Sequence, residues 1–168
     1  MTTHSDEVVI REISVGDYAD VLALNSVEQH FTSEIDESRL HELIRWSAHH
    51  RVAYSGGTVF GFILAMAASS GYDGVNFRWF ADRYPSFLYV DRIVVARESK
   101  GRGIGAALYR DLFAQVAKMG VPMITCEINI EPSNPASLAF HERFGFEEVG
   151  SASIGGGSKR VSYQQAML

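Results

Sequence analysis

The sequence has one cysteine, Cys126, and only four prolines in 168 residues. A lone thiol can neither close an internal disulfide nor build a thiolate metal site. Disulfide-rich secreted scaffolds and zinc modules are therefore excluded, no metal is expected, and the default setting is reducing and cytoplasmic. Positive charge is scarce as well: 15 Lys and Arg stand against 20 Asp and Glu, for a net charge of −5. Binding nucleic acid by neutralising phosphates needs a basic face, so no nucleic-acid partner is expected. Long hydrophobic runs are missing too. The longest, Val59 to Ala68 (VFGFILAMAA), falls far short of the ~18 residues of a membrane span and reads as a buried strand. The opening MTTHSDEVVI has no basic region ahead of an apolar stretch, so neither a signal peptide nor a membrane partner is expected. What is present is ample core material: 46% of residues are hydrophobic, and 15 glycines with few prolines make neither a collagen nor a low-complexity coil. A single globular domain over residues 1–168 follows.

Along the chain, Val8 to Ile13 reads as a strand, and Tyr18, Val21, Leu22 and Asn25 stand at helical spacing. Asp36 can cap a second helix carrying Leu40, Leu43, Ile44 and Ser47, with His49 and His50 expected in its last turn, facing solvent and the helix dipole. Arg51 to Tyr54, Ser55-Gly56-Gly57 and Thr58 to Ala68 make a hairpin. Ser69 to Ser86 is rich in aromatics, shows no sustained period, and can either line a ligand pocket or plug the core's edge. Phe87 to Val95 is a strand by its aromatic and β-branched content. A helix follows from Gly103 to Gly120, with Leu108, Leu112, Val116 and Met119 as its buried stripe. Met123 to Ile130 is a strand, Ser133-Asn134-Pro135 opens a helix that Gly145 ends, and Glu147 to Leu168 reads as two strands around Gly155-Gly156-Gly157.

Chemistry concentrates at Lys100-Gly101-Arg102-Gly103-Ile104-Gly105-Ala106, between a strand and a helix. Glycines let a backbone approach a ligand closely, and the free amides and positive dipole of a helix start attract phosphate. The same residues could also form a tight turn with exposed basic side chains. Gly101-x-Gly103-x-x-Ala106, with Glu127 about 20 residues on, fits the dinucleotide fingerprint in part. However, Ala96 to Lys100 separates the first glycine from its strand, Glu127 falls inside a strand, and too little chain follows Gly105 for a doubly wound sheet. A nicotinamide-dependent oxidoreductase is thus the weaker reading.

Lys100-x-x-Gly103-x-Gly105 resembles the Gln/Arg-x-x-Gly-x-Gly/Ala signature of the GCN5-related N-acetyltransferases (GNAT). Ile93-Val94-Val95 matches that family's preceding strand. Asn134-Pro-Ala-Ser137-Leu-Ala-Phe140-His141-Glu-Arg-Phe-Gly145-Phe146 resembles its Asn-x-x-Ala-x-x-Leu-Tyr-x-x-x-Gly-Phe element. The blocks cover roughly Phe87 to Val149, and the whole chain also looks similar to a bacterial branch of the family. The resemblance implies an α+β fold with a mixed, mostly antiparallel sheet flanked by helices, in the order β-α-α-β-β-β-α-β-α-β-β. It implies acetyl transfer from acetyl-CoA to a small-molecule amine or a peptide N-terminus, with homodimers common in the family. Backbone groups of Ile93, Val94 and Val95 would pair with the pantetheine arm, and an amide there would polarise the thioester carbonyl. Amides from Gly101, Arg102, Gly103, Ile104, Gly105 and Ala106, beside Lys100, would cradle the pyrophosphate. Asn134 would contact the cofactor and Phe140 would pack near its thiol. A non-catalytic acyl-CoA sensor would share all these motifs.

Amine acetylation moves protons, so an acid and a base are sought. Glu127 matches the general base of the branch that acetylates protein N-termini, although a structural carboxylate would fit there too. Asp91 is a rival base: alternation would place it on one face with Ile93 and Val95, and Arg92, on the opposite face, would not pair readily with it. His141 stands where the family often has an acidic tyrosine, and with a pKa near ~6.5 an imidazole could serve as acid or base. On an amphipathic helix a structural histidine is the other reading. Tyr72, Trp79 and Tyr84, with Asp73, Asp82 and Asp91, are candidates to hold the acceptor's ammonium by charge and cation–π contact. Cys126, on the face opposite Glu127, reads as a buried core thiol and argues for direct transfer.

Overall fold

The computed structural model describes residues 7–28 and 32–168. The chain runs β1 (Val9–Glu12), α1 (Tyr18–Val27), α2 (Glu37–Trp46), β2 (Ser47–Ser55), β3 (Thr58–Ala67), α3 (Val75–Ala81), β4 (Leu88–Val95), α4 (Ile104–Met119), β5 (Met123–Glu131), α5 (Pro135–Arg143), β6 (Glu147–Ile154) and β7 (Lys159–Met167). The strands form one sheet in the order β1-β2-β3-β4-β5-β7-β6, antiparallel throughout except between β4 and β5. This is the expected mixed α+β arrangement, with one correction to the element order, the helix α3 between the third and fourth strands; it excludes the parallel sheet a dinucleotide fold requires.

Alternation along the central strands makes two cores. Phe62, Leu64, Tyr89 and Val94 face one side, where they pack with Leu40, Leu43, Phe77 and Phe80 of α2 and α3. Ile63, Ala65, Leu88 and Val90 face the other and meet Leu108, Leu112 and Val116 of α4. Each large side chain so buried contributes about 1.5–3 kcal/mol. The run Val59–Ala68 is dense in apolar residues because β3 is paired on both edges and covered on both faces.

Three local expectations are corrected. The aromatic stretch 69–86 contains α3, whose seven residues are too few for a period to register, and its Phe77 and Phe80 are buried. Met119 is exposed; Gly120 turns the chain in the left-handed region directly after it, and Val121 packs against the core instead. His49 and His50 do not end α2. That helix stops at Trp46, where the Ser47 hydroxyl donates to the Ile44 carbonyl at 2.7 Å, and both histidines lie in β2. The Ile13 amide donates to His50 Nδ1 at 3.2 Å.

His49 is 2% exposed beneath α4, its Nε2 3.4 Å from Asp111. That carboxylate already has Arg51 at 3.3 Å, and burial, together with the Arg51 and His50 charges, lowers the His49 pKa to about 4. The ring is therefore neutral in the folded state. An unfolded histidine titrates near ~6.5, so the folded state binds fewer protons between these values. Stability is full above about pH 6.5 and falls as the pH drops towards 4, by on the order of 3 kcal/mol for this group. Thermal unfolding followed by circular dichroism should show Tm declining over that window. His49→Leu should remove part of the decline; an unchanged pH profile in that variant would contradict the assignment.

Candidate active site

After β4 the chain makes a short turn and enters α4 through Gly101 and Gly103, whose φ values of 81° and 80° lie in the left-handed region that side chains avoid. Gly103 is the N-cap of α4, and the first intrahelical bond runs from the Ala107 amide to its carbonyl at 2.9 Å. The amides of Ile104, Gly105 and Ala106 are left without helical acceptors, at the positive end of a 16-residue helix. A Cβ on Gly105 would lie 3.2 Å from the Phe140 ring, so glycine keeps the approach to these amides open.

They border a cavity of about 600 Å³. Of the expected cofactor residues, Ile93, Val94, Val95, Lys100, Gly101, Gly103, Ile104, Gly105, Ala106, Asn134 and Phe140 all line it. Arg102 does not; its guanidinium lies 5.9 Å from the centre of the Phe60 ring. Glu28 tempers the basic charge, with Lys100 Nζ at 3.4 Å and Arg97 Nε at 3.3 Å from one oxygen. Asn134 also caps α5, its Oδ1 accepting from the Ser137 amide at 3.3 Å.

A second, smaller cavity of about 90 Å³ opens where β4 and β5 part. These strands pair at Leu88 with Ile124 and at Tyr89 with Thr125, and the cavity is bordered by the residues beyond, Val90 to Ile93 and Cys126 to Asn129. Thr32, Ile93, Asn134, Ser137 and His141 line both cavities, so the two meet there.

Glu127 stands in the smaller cavity. Its carboxylate accepts from the Tyr89 hydroxyl at 2.5 Å and from the Asn76 side chain, and Asn76 is itself held by Tyr163 at 2.9 Å. Burial dominates its titration and the Asp91 charge adds to it, so its pKa is pushed up to about 8.

Asp91 does not sit as alternation implied. Val90 pairs with Ala65 and Arg92 with Leu64, which leaves Asp91 as the extra residue of a bulge in β4. Asp91 and Arg92 consequently face the same side, and the Arg92 Nε donates to Asp91 at 2.7 Å while the Tyr72 hydroxyl donates to it at 2.5 Å. Ile93 and Val95 pack into the opposite core. Arg92 is 6% exposed and also donates to Asn25 and to Ser33. Asp91 is thus a fixed counter-ion and not a free base.

His141 is 4% exposed. Its Nδ1 lies 2.7 Å from the Ser137 carbonyl, which can only accept, so Nδ1 carries the proton; Nε2 then accepts from the Tyr109 hydroxyl at 2.6 Å. Burial lowers its pKa to about 4. A neutral ring with both nitrogens engaged offers no proton to either cavity, contrary to the expected acid role. The acceptor-side aromatics divide. Tyr72 reaches Asp91, but Trp79 stacks on Tyr163 at 4.2 Å beneath Arg83, and its edge fills the space a Cβ on Gly150 would need. Tyr84 stacks on Phe80. None of Tyr72, Trp79 and Tyr84 borders either cavity. Asp73 is tied to Arg39 at 2.6 Å. Cys126 is buried in the core beneath α4, where burial raises its thiol pKa well above normal. Among the described residues no cluster of three or more His, Cys, Asp or Glu could hold a metal. Tyr89, Asn76, Tyr109 and Ser137 were not identified from sequence. Ser137 alone carried a signal, as a serine where the resembled element has alanine.

The family model described as "Acetyltransferase (GNAT) family" matches residues 15–146. No curated protein matches the chain. Among solved structures, Ard1 from Thermoplasma volcanium is similar with a TM-score of 0.78 at 16% identity, over 96% of this chain and 97% of that one. Ribosomal-protein-alanine N-acetyltransferase from Brucella melitensis gives 0.72 at 22% identity, over 95% and 99%. Naa50 from Arabidopsis thaliana, in complex with the bisubstrate analogue CoA-Ac-MVNAL, gives 0.73 at 17% identity, over 96% and 99%. At these identities the likeness is one of fold.

If the glycine-lined amides form an anion cradle, filling it must block ligand entry without unfolding the chain. Coenzyme A should raise the Tm of the wild-type protein, and Gly105→Val should abolish that rise; the ligand-free Tm of the variant, measured alongside, reports the cost of crowding Phe140. Retained stabilisation by coenzyme A would place its site elsewhere.

Proposed function

The chain belongs to the GNAT acetyltransferase family, and from that premise we propose that it moves an acetyl group from acetyl-CoA to a primary amine by direct attack in a ternary complex. The carrying observation is the meeting of two cavities, one bordered by unpaired helix amides and the other holding a carboxylate of raised proton affinity. The larger cavity fits coenzyme A in its donor set. Open amides at the start of α4 suit a pyrophosphate. The β4 edge at Ile93, Val94 and Val95, which β5 leaves unpaired, offers backbone groups to an extended arm. Bound there, acetyl-CoA supplies an acyl carbon activated as a thioester.

This chain's own residues do the rest. Glu127 accepts the proton of the incoming ammonium, oriented by Tyr89 and Asn76. Asp91, held by Arg92 and Tyr72, keeps a negative charge beside Glu127 and strengthens its hold on a proton. Once ionised, above about pH 8, Glu127 also favours a cationic acceptor over a neutral one. A peptide N-terminus is the acceptor we favour, because the relative from Brucella melitensis is named for acetylating a ribosomal-protein alanine and the Arabidopsis thaliana one holds a peptide-bearing analogue. A sensor that binds acyl-CoA without turnover is the outcome that a silent acceptor panel would indicate.

Because Glu127 is competent only when ionised, kcat/KM should rise with pH through about 8. Glu127→Gln should lower it roughly 100-fold or more and abolish the limb. Asp91→Asn removes the neighbouring charge and should move the limb to lower pH. A pH–rate series on an amine and peptide panel checks all three, and an unaltered limb in Glu127→Gln would remove this residue as the base.

A further inference from the structure

Within the acetyl-transfer reading, on which this inference rests, the group that faces the leaving sulfur has no assignment, because His141 has no proton to give. Its partner on α5 does. Ser137 and His141 lie one turn apart, at two of the three positions, with Phe140, where the chain departs from the resembled Asn-x-x-Ala-x-x-Leu-Tyr element. These two touch: Ser137 Oγ is 3.3 Å from His141 Nδ1, and the Ser137 carbonyl is 2.7 Å from the same nitrogen. Since Nδ1 carries the proton, Oγ can only accept from it, and the hydroxyl hydrogen of Ser137 has no acceptor among the described residues. Ser137 is half-buried and borders both cavities at their junction. It also lies in the first turn of α5, where the helix dipole favours negative charge.

We propose that Ser137 is a catalytic residue whose hydroxyl donates a hydrogen bond to the departing coenzyme A sulfur, with His141 and Tyr109 as the positioning residues that hold it. As the amine nitrogen bonds to the acyl carbon, the carbon–sulfur bond breaks and its electron pair stays on sulfur. One proton of the ammonium passes to Glu127, the second leaves to solvent as the amide forms, and the thiolate later takes a proton from water. Ser137 keeps its own proton throughout and stabilises the charge by hydrogen bonding.

Ser137→Ala is a clean test, since alanine is the residue of the resembled element and the best helix former, so the variant folds. Its kcat should drop roughly 10-fold or more, with KM for acetyl-CoA little changed. A readout independent of turnover is the titration of coenzyme A bound to the protein, followed by the ultraviolet absorbance of its thiolate. The apparent thiol pKa should be higher in Ser137→Ala than in wild type, and Ser137→Thr, which keeps the hydroxyl, should restore both values. Equal thiol titrations in wild type and Ser137→Ala overturn the proposal, as does an unchanged kcat. If wild type acetylates no amine in the panel, the transfer reading fails, while the thiol titration still decides whether Ser137 faces the sulfur.

Discussion

The parting of β4 from β5 is the constraint on which the site depends. A parallel pair held at Leu88–Ile124 and Tyr89–Thr125 cannot continue once β4 bulges at Asp91, and the residues beyond border the smaller cavity. The consequence is unusual for a central sheet position. One edge of β4 is left without a strand partner at the middle of the molecule, where backbone groups are normally satisfied in the ladder. Such an edge must be satisfied by water or by another polar chain that enters the cavity. The same parting lets Tyr89 of one strand reach Glu127 of the other, so one topological feature makes both the open edge and the acid–base centre.

The electrostatics follow from that geometry. Two carboxylates, Asp91 and Glu127, stand in one crevice, and burying both as anions would be costly. They are resolved by unequal support. Asp91 receives a guanidinium and a tyrosine hydroxyl, and Arg92 is itself fastened to Asn25 and Ser33 on the α1 side. Glu127 receives only neutral donors, Tyr89 and Asn76, and so takes up a proton far more readily than a free carboxylate. Environments that push the proton affinities of neighbouring groups apart are how a site divides roles between like residues. Breaking the Asp91–Arg92 pair would therefore disturb Glu127 through charge and the segment around Ser33 through lost hydrogen bonds.

Much of this was legible in the sequence. Gly101 and Gly103 take left-handed backbone conformations that favour glycine and Gly105 lies close against the Phe140 ring, so the three announce themselves by residue type, and all line the cavity. Glu127 is a carboxylate in a buried strand, which demands a reason. The failures have physical causes. Alternation assumes an unbroken ladder, and a bulge at Asp91 placed Arg92 beside it and set both apart from Ile93 and Val95. Trp79 and Tyr84 look like binding residues by type, but α3 and the turn that follows it place them against Tyr163 and Phe80. His49 and His50 followed a helical period that Ser47 ended. Asn76, Tyr89 and Tyr109 act through partners distant in sequence, and no local pattern encodes those contacts.

The polar chain Tyr109–His141–Ser137 shows how a departure at one position imposes another. Tyr109 is fully buried among Phe113, Phe140, Phe144 and Phe146, and its hydroxyl needs an acceptor in that dry setting. His141 Nε2 supplies it, which fixes the tautomer and obliges Nδ1 to find an acceptor of its own, the Ser137 carbonyl one turn back. Leaving either polar group unpaired would cost about 1–3 kcal/mol. A tyrosine at position 141 has no nitrogen lone pair to offer along this path, so Tyr109 and His141 depend on each other across two helices. The proton order that satisfies the core then runs outward, away from the imidazole, and delivers the only uncommitted hydrogen of the chain to the Ser137 hydroxyl at the mouth of both cavities.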